Sequence, residues 1–205
     1  MSTIEWLHTV TFWVLYAAAA IATFVIVERI IFYAWTGTHA RKLVAAIRHD
    51  IASEGEVPAA LMKSDSVPVR AVRDMLRRRA NVSSRHALED TAEAIFIDAK
   101  AQLNRHLWLL DTIVTAAPLL GLLGTILGII DTFTALAQSG ISDPAGVSAG
   151  IGTALFATAL GISVALYGLI FHNAFHERVH RIGDQIKILL IRAGTHEAIA
   201  VLAAA

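Results

Sequence analysis

Three long apolar runs separated by charged stretches set the pattern of this chain. The run from Leu103 to Leu136, LNRHLWLLDTIVTAAPLLGLLGTILGIIDTFTAL, organises the rest and carries no charge between Ala116 and Ile130. The other two extend from about Val10 to Trp35 and from Val147 to Phe171. Each is long enough to cross a hydrocarbon core, which needs ~20 apolar residues in a helix. The central run holds Gly121, Gly124, Thr125 and Gly128. Glycine lowers helix stability by ~1 kcal/mol relative to alanine, so a helix in water would avoid it. In lipid, small positions let a neighbouring backbone come close, and threonine bonds across the gap.

The first run has Trp6 and Trp13 at one end and Tyr33 and Trp35 at the other, which suits two membrane interfaces. Glu28 and Arg29 interrupt it near its second end, where the arginine can snorkel and pair with its neighbour. Residues 36–82, with Gly55, Pro58 and Pro68, read as short helices and a loop near Ser64–Pro68. A helix is expected from Ser83 or Ser84, either a suitable N-cap, with Glu89, Asp90 and Glu93 in its early turns. Leu88, Ala92, Ile95, Ala99 and Leu103 make a stripe at helical spacing, and nothing breaks the pattern before Pro118. One continuous helix is therefore predicted from there into the membrane, kinked at Pro118. Asp143 followed by Pro144 predicts the start of the third spanning helix, which runs on past Phe171 to about Arg192. The expected fold is all-α, with three transmembrane helices, the second and third extended into the cytoplasm. Its segments are a first spanning helix in 1–35, a cytoplasmic helical region in 36–106 and a second span in 107–136. A periplasmic loop (137–146), a third span (147–171) and a cytoplasmic helix and tail (172–205) follow.

Composition agrees: 56% of the 205 residues are hydrophobic and mean hydropathy is +0.59, above the ~45–50% apolar content of soluble domains. Of the 17 Lys and Arg, 12 lie between Thr36 and Asp111, four follow the third run, and the last is Arg29. Positive-rich loops stay cytoplasmic, so the N-terminus and the 134–146 loop are expected outside. No Lys or Arg precedes Glu28, so the first run is expected to be kept as an anchor rather than removed as a signal peptide. A net charge of +0 argues against nucleic acid as a partner, and the absence of cysteine excludes disulfides.

Candidate chemistry is sparse. One side of the second span presents Ala117, Gly121, Thr125, Gly128 and Thr132; one side of the third presents Ala154, Thr158, Gly161, Ala165 and Gly168. These strips suit either close helix packing or, at Thr125 and Thr158, a weakly polar lumen. Thr153 lies five residues from Thr158, ~140° round the helix, so the two cannot face one axis. Asp131 is the only acid inside the apolar part of these spans; interfacial placement and a proton-relay or gating role both fit it. His172, His176 and His180 share a face at a spacing that could hold a metal, but no acid or cysteine cluster accompanies them, and a solvated stripe is the preferred reading. Arg77, Arg78 and Arg79 read as a topology determinant or a contact for acidic lipid headgroups. No nucleophile–base pair and no GxxxxGK[ST] loop is present, so neither an enzyme nor a cofactor is expected.

Two stretches resemble the MotA/TolQ/ExbB proton-channel family. TIVTAAPLLGLLGTILGIIDTF (112–133) is similar to its second span and DPAGVSAGIGTALFATALGISVAL (143–166) to its third, while VIVERIIFY (25–33) is similar to the end of its first. Three spans favour the ExbB/TolQ branch. The resemblance implies an inner-membrane subunit that assembles as a ring, a pentamer, around transmembrane helices of a single-span ExbD/TolR-type partner. A TonB/TolA-type protein would be a further partner, and proton flow would energise TonB-dependent outer-membrane transport. A TolQ-like envelope motor and a non-conducting scaffold are the alternatives. Thr125 and Thr158 match the family's pore-facing threonines, with Thr153 and Asp131 as further proton-pathway candidates. Gly121, Gly124, Gly128, Gly161, Gly168 and Pro118 are the expected packing positions. The chain departs at Thr153, where many relatives carry Glu.

Overall fold

The computed structural model describes the backbone of residues 3–47, 51, 54–80, 82, 84–139 and 144–203. Side chains are described over the same residues except 3–5, 54, 138–139 and 195–203. Among them every element is helical: α1 (Thr3–Ala46), a 3₁₀ turn at Glu54–Glu56, α2 (Ala59–Met62), α3 (Val67–Arg79), α4 (Arg85–Asn104), α5 (Leu107–Ser139) and α6 (Pro144–Ala203). Three stretches are long and apolar enough to cross a membrane: Trp6–Ala46, Leu107–Ala137 and Pro144–Gly194. Asp143, expected to cap α6, lies outside the described residues.

The chain forms two compact units, one of Met1–Val27 with His106–Ala174 and one of Glu28–Arg105 with Phe175–Ala205. In the first, α5 and the early parts of α1 and α6 bury small residues beside Leu15, Ile26 and Leu110, and leave many other large side chains outside. Ala117, Ala154 and Ala157 are fully buried, whereas Trp13, Leu119 and Ile170 are 70%, 67% and 68% exposed. Such large apolar side chains facing outward are what lipid as solvent permits. α5 runs through Pro118 without a break.

The second unit packs the later parts of α1 and α6 with α3 and α4 about Leu43, Val72, Met75, Leu103, Ile186 and Leu189. Ser84 caps α4 by accepting from the Ala87 amide at 3.2 Å, satisfying one of the free donors of the first turn. Leu88, Ile95, Ala99 and Leu103 form the buried face of α4. Helix ends are closed by side chains from elsewhere in the unit. Tyr33 donates its hydroxyl to Leu103 O at 2.8 Å, near the end of α4. Arg192 donates to Val44 O at 3.1 Å and to Ile47 O, at the end of α1, the end a cation favours.

Three expectations are corrected. The single helix predicted from Ser84 into the membrane is divided, because Arg105 is extended (φ −54°, ψ 137°) and His106 adopts a left-handed φ of 68°. Leu103, Leu107 and Leu110 are all buried, so the apolar periodicity runs through a break the backbone makes. The 77–79 run is also not uniformly solvated: Arg77 and Arg78 are exposed, but Arg79 is buried. Its Nη1 donates to Ile51 O at 2.6 Å and to Ala193 O at 2.7 Å. Arg29, for its part, is turned inward rather than outward. It is paired with Glu28 at 2.5 and 2.6 Å and lies 4.3 Å from the centre of the Phe32 ring.

Arg79→Met strips two carbonyls of a charged donor and is expected to lower stability by about 2–3 kcal/mol. Arg77→Met should change it by less than about 0.5 kcal/mol. Unfolding both variants in detergent checks the difference.

Candidate functional site

The small positions of α5 and α6 meet one another. A Cβ placed on Gly121 would lie 2.9 Å from Ala157 O and 3.2 Å from Gly161 Cα. One placed on Gly161 would lie 2.5 Å from Ala117 O and 2.9 Å from Gly121 Cα. Real Cβ atoms do not approach that closely, so the two backbones touch because both positions are glycine. Gly124 faces Ala157 and Thr11 of α1, Gly128 faces Ala154 and His8 of α1, and Gly168 faces Val114.

This approach brings Thr125 and Thr158 into hydrogen-bond contact through their hydroxyls. Thr125 Oγ1 is also 3.1 Å from Ala154 O and 3.2 Å from Gly121 O, and Thr158 Oγ1 is 3.1 Å from Gly121 O. Each hydroxyl has one proton and two lone pairs. Two arrangements therefore satisfy the pair. In one, Thr125 donates to Thr158, which donates to Gly121 O. In the other, Thr158 donates to Thr125, which donates to Ala154 O or Gly121 O. Rotating the two hydroxyls converts one into the other: the hydroxyl that accepts no bond within the pair is Thr125 in the first and Thr158 in the second. Both side chains are half-buried.

Thr153 and Asp131 are not part of this cluster. Thr153 is exposed and donates to Ala149 O of its own helix at 2.9 Å. Asp131 is half-buried and stands six residues along α5 from Thr125, ~9 Å in axial rise. Thr132 is buried, donates to Gly128 O at 2.7 Å and packs against Gly150. His172 Nε2 lies 4.0 Å from Asp111 Oδ1, while His176 and His180 are exposed with ring centres 6.0 Å apart. Among the described residues no three His, Cys, Asp or Glu side chains are grouped as a metal site. Sequence reasoning missed His8 and Thr11, whose significance lies in the α5 glycines opposite them. No spacing rule along one helix shows such a contact.

Residues 63–188, covering α3, α4, α5 and most of α6, match the family described as the MotA/TolQ/ExbB proton channel family. The chain belongs to that family. It is 40% identical over 120 residues to an ExbB homologue of Methanothermobacter thermautotrophicus described as a biopolymer transport protein, covering 58% of this chain and 41% of that one. It is 38% identical over 78 residues to the biopolymer transport protein ExbB of Aquifex aeolicus (38% and 53% of the two chains). With ExbB of Helicobacter pylori it shares 35% identity over 100 residues (49% and 66%). The matches thus span less than two thirds of each relative's length. Within the MotA/TolQ/ExbB family the similarity points to the ExbB branch.

Gly161→Ala would press a methyl into the Ala117 carbonyl and is expected to cost about 1–3 kcal/mol. Gly152→Ala meets nothing within 4 Å and should instead raise stability by up to ~1 kcal/mol through helix propensity. Thermal unfolding of the two variants in detergent would reveal the opposite signs.

Proposed function

We propose that the chain is an ExbB-like subunit of a proton-driven motor in the inner membrane, and that the Thr125–Thr158 pair belongs to its proton pathway. The observation that carries this is the pair itself. Two apolar membrane-spanning helices of a proton-channel family touch backbone to backbone at one level, and there they place two reorientable hydroxyls. Uncharged hydroxyls can pass a proton along a water chain without trapping it.

In this reading the N-terminus and the 137–146 loop lie outside, and residues 36–106 and 172–205 lie in the cytoplasm, as the clustering of Lys and Arg favours. Several copies form a ring, a pentamer, about the transmembrane helices of an ExbD/TolR-type partner. Because Thr153 supplies no carboxylate, the essential acid comes from the partner's helix, with Asp131 in a secondary place. Moving one charge through 100 mV is worth ~2.3 kcal/mol, enough to bias a helix rotation when repeated. The output is energised transport across the outer membrane through a TonB-type protein; a TolQ-like envelope motor would use the same parts.

A non-conducting scaffold is the second reading, favoured by one observation. Thr125 and Thr158 bond to each other and to carbonyls of the facing helix, tying α5 to α6, as a purely structural clasp would. Thr158→Val separates the two. Both readings expect a modest loss of stability, ~0.6–1.7 kcal/mol for a hydrogen bond between membrane helices. The motor also predicts loss of proton flux into liposomes carrying the chain and its co-purified partner; unchanged flux would leave only the clasp.

A further inference from the structure

His8 lies on α1 with its imidazole against the bare backbone of α5, where a Cβ on Gly128 would be 3.0 Å from Nε2. Nε2 is closed to solvent and has no hydrogen-bond partner among the described residues. The ring stands edge-on to Phe12, centres 5.2 Å apart, and Phe12 stacks on Phe156 of α6 at 6.3 Å. Leaving a buried polar nitrogen unpaired is destabilising, a cost that Phe or Leu in this apolar setting would not carry. A buried, unsatisfied group of this kind calls for a reason, and its place along α5 supplies one. Gly128 is three residues from Thr125 and three from Asp131, so His8 sits between the threonine pair and the carboxylate, ~4.5 Å of axial rise from each.

We propose that His8 is a proton-carrying residue, exchanging protons between the Asp131 end of the helix seam and the Thr125–Thr158 pair; the idea rests on the proton-pathway reading above. The Nε2 lone pair forms an N–H bond as a water or the Asp131 carboxyl gives up a proton. That N–H bond then breaks to a water beside the threonines, and the imidazole returns neutral. Among the described residues the titratable groups nearest it in sequence or across the seam are Tyr16 on its own helix and Asp131 on α5; α6 has none from Pro144 to Gly161. Imidazole suits the role because it is the side chain whose unperturbed charge change falls near neutral pH.

The test compares His8→Gln, His8→Phe and Thr158→Val with the unaltered protein, each co-purified with its partner in liposomes holding a pH-sensitive dye. The expected result is a fall in proton flux of at least about tenfold for both His8 variants. His8→Phe should unfold at or above the temperature of the unaltered protein, since it removes the unpaired nitrogen. Flux retained by both His8 variants while Thr158→Val loses it overturns the role of His8 and leaves the threonine pathway standing. Flux lost with the His8 variants but kept with Thr158→Val overturns the exchange with the threonine pair and so the proposal as stated. A second measurement needs no partner. In protein labelled with ¹⁵N-histidine in nanodiscs, the resonance missing from His8→Gln should move between about pH 9 and pH 5. A resonance that stays fixed shows that protons do not reach Nε2 and overturns the proposal.

Discussion

The close approach of α5 and α6 at Gly121 and Gly161 is the constraint on which the membrane-spanning unit depends. Lipid tails are as apolar as leucine, so burying large side chains between spanning helices gains little. What remains is van der Waals contact between backbones, which grows as side chains shrink. The same closeness decides what the threonines do. Thr112, Thr134, Thr153 and Ser163 fold their hydroxyls back onto the carbonyl four residues earlier. Thr125 and Thr158 can do more because the opposite helix is within reach.

The second unit handles polar groups by a related rule with a different source of contacts. Its buried donors go to backbone carbonyls: Tyr33 to Leu103, Arg79 to Ile51 and Ala193, and Arg192 to Val44 and Ile47. Several of these acceptors sit at helix ends, where carbonyls lack partners in their own helix. A guanidinium with fixed, forked donors serves two carbonyls at once. The cost of burying the charge is thus offset by these bonds, and those of Arg192 also close the end of α1.

Much of this was legible in the sequence, and the gaps have physical causes. The three spanning stretches followed from apolarity and length, and Ser84 from the acid-rich first turns after it. The break at Arg105–His106 was not legible, since neither residue is a Gly or Pro and the Leu103–Leu107–Leu110 periodicity runs straight through it. Arg79 was misjudged for the opposite reason. It lies on the face of Val72, Met75 and Leu76, so the register marked it as inward, but its charge in a run of three arginines pointed to the surface. For the candidate site, periodicity identified the strips that carry Thr125 and Thr158. It could not show that their hydroxyls meet, nor that α1 lays His8 and Thr11 over Gly128 and Gly124. Those are contacts between helices, and a single-helix pattern carries no register for them.

The geometry also limits how a proton could use this seam. A pair of neutral hydroxyls can reorient but cannot hold a charge, because an isolated ion in a low-dielectric interior is strongly disfavoured. A titratable group must therefore stand beside the pair whenever a proton passes. Thr153 cannot serve, being uncharged and bonded to its own helix. Asp131 is two α5 turns away and half-exposed, near enough to exchange with solvent but not to touch the pair. On the proposed reading the work is divided: the chain offers a neutral, reorientable segment fed from the His8 side, and a carboxylate on a guest helix moves past it. Such a division couples proton passage to motion directly. The acid can be neutralised only where the hydroxyls and their water lie, so a proton moves on only when the guest helix has brought its carboxylate to that level.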